Sequence, residues 1–173
     1  MSKDELDPYE STWSQIGATL GMLEAAIARC PQSLWERPSP TMGFWYLAYH
    51  TLFYLDHDLH PAGTEFASPD FDVFEYEVSG ATPPYESPYT KADLLLYLER
   101  CSERTESVLQ TLSRGRTAPV RGAARLKLST FEIVLYELRH VQHHTAQLNS
   151  LLRAEGIEPP EWVRSVGGFS TPE

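Results

Sequence analysis

The sequence predicts an all-α protein built as a four-helix bundle, and three observations carry that expectation. Apolar residues recur at spacings of three and four through several long stretches, the period of one buried helix face. Capping residues open those stretches, and glycine or proline closes them. No segment alternates apolar and polar residues as a run of half-buried strands would. With 173 residues, 42% of them hydrophobic, the chain supplies one ordinary core and too little for two. Residues 1–173 are therefore expected to form a single domain, with the C-terminal tail, 156–173, packing back on the bundle.

The first helix opens at Asp7-Pro8-Tyr9-Glu10, where an aspartate can cap, a proline suits the first turn and a glutamate follows three residues after the cap. Trp13, Ile16, Leu20, Leu23 and Ile27 then form one apolar seam, and Pro31 ends it. Residues 33–40 read as one short helical turn followed by an extended connection. The second long helix, roughly 41–60, is apolar or aromatic on nearly every side from Met42 to Leu55, which marks a central helix or one at a subunit contact. The third starts at Thr90 with Asp93 placed to complete its cap, carries Leu94, Leu98, Cys101, Val108 and Leu112, and stops at Gly115. The fourth opens on the capping box Ser129-Thr130-Phe131-Glu132 and runs to about Ala154, before Gly156. An antiparallel bundle is the economical arrangement, with the long connection between the second and third helices as a crossover.

Charge narrows the function classes. Fourteen Lys and Arg against twenty-four Asp and Glu give a net charge of −10, which argues against nucleic acid as a partner. The charge is unevenly spread. Residues 61–89 hold six acidic side chains and no Lys or Arg, whereas 114–129 hold Arg114, Arg116, Arg121, Arg125 and Lys127 and no acid. The basic stretch can bind an anion or pair with the acidic one. No apolar run is long enough to span a membrane and none follows the N-terminal charges as a secretory signal would, so a cytoplasmic location is expected. Cys30 and Cys101 lie far apart and form no ligand pair or redox motif. Neither a nucleophilic triad nor a glycine-rich phosphate loop is present.

All six histidines fall in two windows, His50, His57 and His60, then His140, His143 and His144. On a wheel of about 100° per residue with Phe131 at zero, His140 and His144 lie near 180° and 220°, on the side of Ile133, Val134, Val141 and Leu148. His143 lies near 120° on the same wheel, at the edge of the polar arc. Two imidazoles at i and i+4 on one face can aim at one point, a common metal-ligand spacing. His50, the one imidazole inside the apolar second helix, is the candidate third ligand. Three neutral imidazoles around a cation leave a position open to water or substrate. His57 and His60 read as bystanders, His60 sitting where a protonated ring would favour the helix dipole.

Glu137 falls near 240° on that wheel, inside the core arc and three residues before His140. Glu137-Leu138-Arg139-His140 matches the Glu-x-x-His pattern of di-iron bundles, but no second copy exists: Leu47 and Tyr54 stand three residues before His50 and His57. Glu137 is instead a candidate catalytic base or hydrogen-bond acceptor for a metal-bound water, or the partner of an arginine on a neighbouring helix.

Phe44-Trp45-Tyr46-Leu47-Ala48-Tyr49-His50-Thr51-Leu52, followed by Leu138-Arg139-His140-Val141-Gln142-His143-His144-Thr145-Ala146-Gln147-Leu148-Asn149, closely resembles the DinB-like superfamily, the DinB/YfiT metalloenzymes. The resemblance runs from the first helix to Trp162. It implies a four-helix bundle of that superfamily's topology and a divalent metal (Zn, Ni, Fe or Co) on His50, His140 and His144, the residues the wheel selects. Characterised relatives are thiol-dependent transferases or isomerases that use bacillithiol or mycothiol. The resemblance thus implies a metal-dependent enzyme that activates a thiol or water, with an S-transferase acting with a low-molecular-weight thiol on a small-molecule substrate as one form. The alternative is a non-catalytic module, in which the histidines are structural or pH-responsive and the aromatic helix and charged loops make a homodimer.

Overall fold

The computed structural model describes residues 7–37, 43–66 and 89–169. Four long helices, α1 (Pro8–Arg29), α3 (Phe44–Leu59), α4 (Lys91–Ser113) and α6 (Thr130–Ala154), are joined by two short ones, α2 (Gln32–Trp35) and α5 (Arg121–Leu126). No β-strand occurs among the described residues, only one isolated bridge between Pro61 and Val120.

The start and stop signals act as their chemistry requires. Asp7 accepts from the Tyr9 amide at 2.9 Å. Thr90 with Asp93, and Ser129 with Glu132, each close a reciprocal capping box, satisfying amide donors that a helix start leaves unpaired. Gly115 and Gly156 take φ of 68° and 71°, a left-handed conformation that costs a glycine little. Beyond each, paired bonds (Gly115 to Leu112 with Arg116 to Thr111, and Gly156 to Arg153 with Ile157 to Leu152) tie the orphan carbonyls of the last turn.

Helix α1 packs against α4 and α6, and so does α3, which leaves α1 and α3 diagonal across the bundle. Directions follow from side-chain contacts. Tyr9 meets Phe131 with ring centroids 5.1 Å apart and Thr19 reaches Gln142, so α1 and α6 run parallel. Trp45 lies 6.4 Å from Tyr89 and Asp56 accepts from the Tyr97 hydroxyl, so α3 and α4 are also parallel. This differs from an all-antiparallel bundle. Amphipathic faces report which side of a helix is buried, not which neighbour covers it. The chain leaves α3 at one end of the bundle and enters α4 at the other, as a crossover between helices two and three requires. Of the acidic connection expected over 61–89, residues 67–88 lie outside the described ones.

Helix α3 is central. Fourteen of its side chains are buried, including Asp56 and Asp58. Asp56 is held by Arg104, with Nε at 2.7 Å, and by Tyr97 at 3.0 Å. Residues 114–129 are not simply a loop: α5 lies within them, and Gly122 fits so closely on α3 that a Cβ there would stand 2.8 Å from Asp58 Cβ. The basic stretch pairs with α3 and the segment after it. Arg125 takes Asp58, while Arg121 donates to the Thr64 carbonyl at 3.0 Å and lies over the Phe66 ring. The tail runs back along α1, where Val166 exchanges hydrogen bonds with Ser14 and the Val163 amide reaches the Met22 sulfur.

Candidate metal centre

The antiparallel contact of α3 with α6 brings His50 to His140 and His144. Potential ligand atoms of the three rings all lie within 4.8 Å of one another. Ring centroids are 5.4 Å apart for His50 and His140, 4.9 Å for His50 and His144, and 4.6 Å for His140 and His144. The i, i+4 spacing stacks the last two on one face of α6, as the wheel predicts. His143 faces solvent.

Two of the rings are fixed from behind. His140 Nδ1 donates to Glu137 Oε2 at 3.2 Å, and His144 Nδ1 donates to Gln147 Oε1 at 2.7 Å. Each bond sets the tautomer and leaves Nε2 as the lone-pair nitrogen, the form a metal ligand needs. Burial, then the adjacent His144 and His140, pushes His50 from an ordinary 6.5 down to about 3. Burial and the neighbouring His140 and His143 take His144 down to about 4, against the opposing bond to Gln147. Both rings are therefore neutral at ordinary pH.

Glu137 is fully buried, and its partner is His140, not an arginine. Burial raises its carboxyl above the usual range. The bond from His140 opposes that rise, and the nearby Asp58 adds to it. Glu137 does not line the pocket described below, so its geometry suits holding a ligand and not touching a substrate.

Beside Glu137, Asp58 receives Arg125 Nε at 3.2 Å, a second bond from Arg125 Nη2, and His57 Nδ1 at 3.0 Å. Burial alone would raise the Asp58 carboxyl, yet the His57 and Arg125 bonds outweigh it and hold it below the usual range. His60 departs from the dipole reading. It is buried against Phe66, its Nε2 meets the Glu65 carbonyl at 3.0 Å, and burial lowers its pKa, so the neutral ring is favoured.

The three imidazoles open into a pocket of about 310 Å³, lined also by Tyr54, Arg125 and Tyr136. The sequence reading missed these rim residues and Gln147. A signal existed for some: Tyr54 and Asp58 follow His50 at i+4 and i+8 on one face of α3, and Gln147 stands three residues after His144 as Glu137 stands three before His140. Nothing local marks Arg125, whose partner is 67 residues away.

Fold and site together define a helical-bundle protein with a three-histidine cluster at the floor of an open pocket. The DinB family model matches residues 71–164, more than half of the chain, and the protein belongs to that family. The matched span contains His140 and His144 but not His50. No curated protein and no solved structure matches the chain. No helix among the described residues is long and apolar enough to cross a membrane.

Proposed function

We propose that His50, His140 and His144 hold a divalent metal and that the protein is a metal-dependent enzyme activating a small thiol or water. The observation that carries this is the convergence of three imidazoles on one point at the floor of a pocket. The donor set fits such an ion: two rings are driven neutral by burial, and two have Nδ1 committed to a partner. Three imidazoles suit Zn, Ni, Fe or Co, so the identity follows availability. When bound, the ion supplies Lewis acidity that lowers the pKa of a thiol or water brought to it.

The chain's own residues do the rest. Glu137 and Gln147 hold His140 and His144 in orientation. Tyr54, Tyr136 and Arg125 form the wall against which a substrate lies. In S-transfer the thiol gives up its proton to solvent. Its sulfur forms a bond to an electrophilic carbon, and the leaving group departs with its electron pair. An open pocket favours this reading over a structural site, whose fourth position is closed by protein.

The test is a screen of low-molecular-weight thiols against electrophilic model substrates, run with metal-loaded protein, chelated protein and the His140→Ala variant. Turnover only in the loaded wild type supports the proposal. A blank screen, together with a large fall in melting temperature on chelation, would favour a structural metal instead.

A further inference from the structure

We infer that Arg125 makes the three-histidine pocket selective for small anions, with a ligand carboxylate pairing with the free edge of its guanidinium. This inference rests on the metal reading above and specifies the ligand class for that site.

The placement of Arg125 is unusual for an ion-paired arginine. Its Nε and Nη2 face Asp58, whose side chain is fully buried, while the arginine side chain itself stays 41% exposed at the pocket. The guanidinium carbon also lies 5.9 Å from the centre of the Tyr54 ring. Asp58 and Tyr54 together hold the group in one orientation, and Nη1 makes no hydrogen bond among the described residues. A planar guanidinium held this way presents a preorganised donor edge, which a flexible surface arginine does not.

The electrostatics of the pocket agree. On a chain of net charge −10, none of the described residues that line this pocket carries a carboxylate. Asp58 and Glu137 lie buried behind the wall with their own partners, Arg125 with His57 and His140 respectively. Three neutral imidazoles leave the charge of a divalent ion uncompensated, and Arg125 adds another positive charge at the rim. An anionic ligand is the complement. The wall offers one guanidinium edge and the Tyr136 hydroxyl, which has no hydrogen-bond partner among the described residues. That matches a singly charged carboxylate; a phosphate site gathers more donors.

Cobalt-loaded protein provides the test, because ligands that reach the ion alter its visible absorption. Mercaptoacetate and mercaptoethanol are matched in size and differ in charge. The wild type should bind mercaptoacetate more tightly by on the order of tenfold or more. In the Arg125→Gln/Asp58→Asn double variant, which leaves no buried carboxylate unpaired, the preference for mercaptoacetate should shrink by most of that factor, down to what the ion alone supplies. Asp58→Asn alone keeps the arginine and should keep the preference. Equal binding by the wild type, or a preference undiminished in the double variant, overturns the inference and leaves the metal reading standing. Absence of cobalt bands is a different failure and overturns both.

Discussion

Substituting Glu137 by Gln isolates what the buried carboxylate does for the candidate centre. The side chain keeps its length and can still accept from His140 Nδ1, now with a neutral amide oxygen in place of the carboxylate 3.2 Å away. Hydrogen bonds to a charged partner contribute about 1.5–3 kcal/mol and neutral ones about 0.5–1.5. The difference, about 1–2 kcal/mol, corresponds to a loss of metal affinity of roughly 5- to 30-fold. It overlaps the roughly 10- to 100-fold that follows loss of a partner behind a metal ligand. The metal-free protein should respond differently. Glu137 is fully buried, and burial raises its carboxyl, so a neutral isostere removes an unfavourable buried charge. Its stability should stay level or rise. The assay is competitive Zn titration against a chromophoric chelator, with denaturant unfolding of the chelated protein. Wild-type affinity in Glu137→Gln would refute the positioning role. A joint loss of affinity and of metal-free stability would reduce it to general damage.

Other expectations follow from the same contacts. His50 and His144 are lowered to about 3 and about 4 in the fold and regain about 6.5 when unfolded, so unfolding takes up protons below about pH 6.5. The metal-free protein should therefore lose stability as pH falls from about 6.5 toward 4, and His144→Gln should flatten that slope by about one proton, roughly 1.4 kcal/mol per pH unit. Denaturation midpoints across that range that stay level or rise as pH falls would contradict it. Gly122→Ala places a methyl 2.8 Å from Asp58 Cβ and 3.0 Å from the Asp58 carbonyl oxygen, so α5 must move off α3. The expected cost is about 1–3 kcal/mol by urea denaturation, and an unchanged midpoint would mean that α5 is loosely held. Arg37→Ala removes an exposed ion pair with Glu155 and should leave the midpoint in the same assay close to that of the wild type.

The helix wheel resolved much of the centre in advance, because α6 is long, one-sided and packed on both flanks. His140, His144 and Glu137 turn inward and His143 outward, as their angles require. His50 was legible as the one imidazole within the largely apolar and aromatic centre of its helix. Helix α5 was not, since six residues are too few to show a period and its sequence, Arg121 to Leu126, reads as a basic loop. The Asp58–Arg125 pair was hidden for another reason: the ion pair joins distant segments, and neither residue's local pattern names the other. His60 looked like an exposed helix end until Phe66 and the Glu65 carbonyl closed over it. Helix directions depend on the path between α3 and α4, which no local pattern records.

The central claim is that His50, His140 and His144 bind one metal ion. Elemental analysis of untagged protein, paired with anomalous scattering at the metal's absorption edge, tests it most directly. One ion per chain is expected, bonded to nitrogens of those three rings and lost in His140→Ala. Protein that stays metal-free after supplementation with Zn, Ni and Fe, or an ion bound elsewhere, would contradict it.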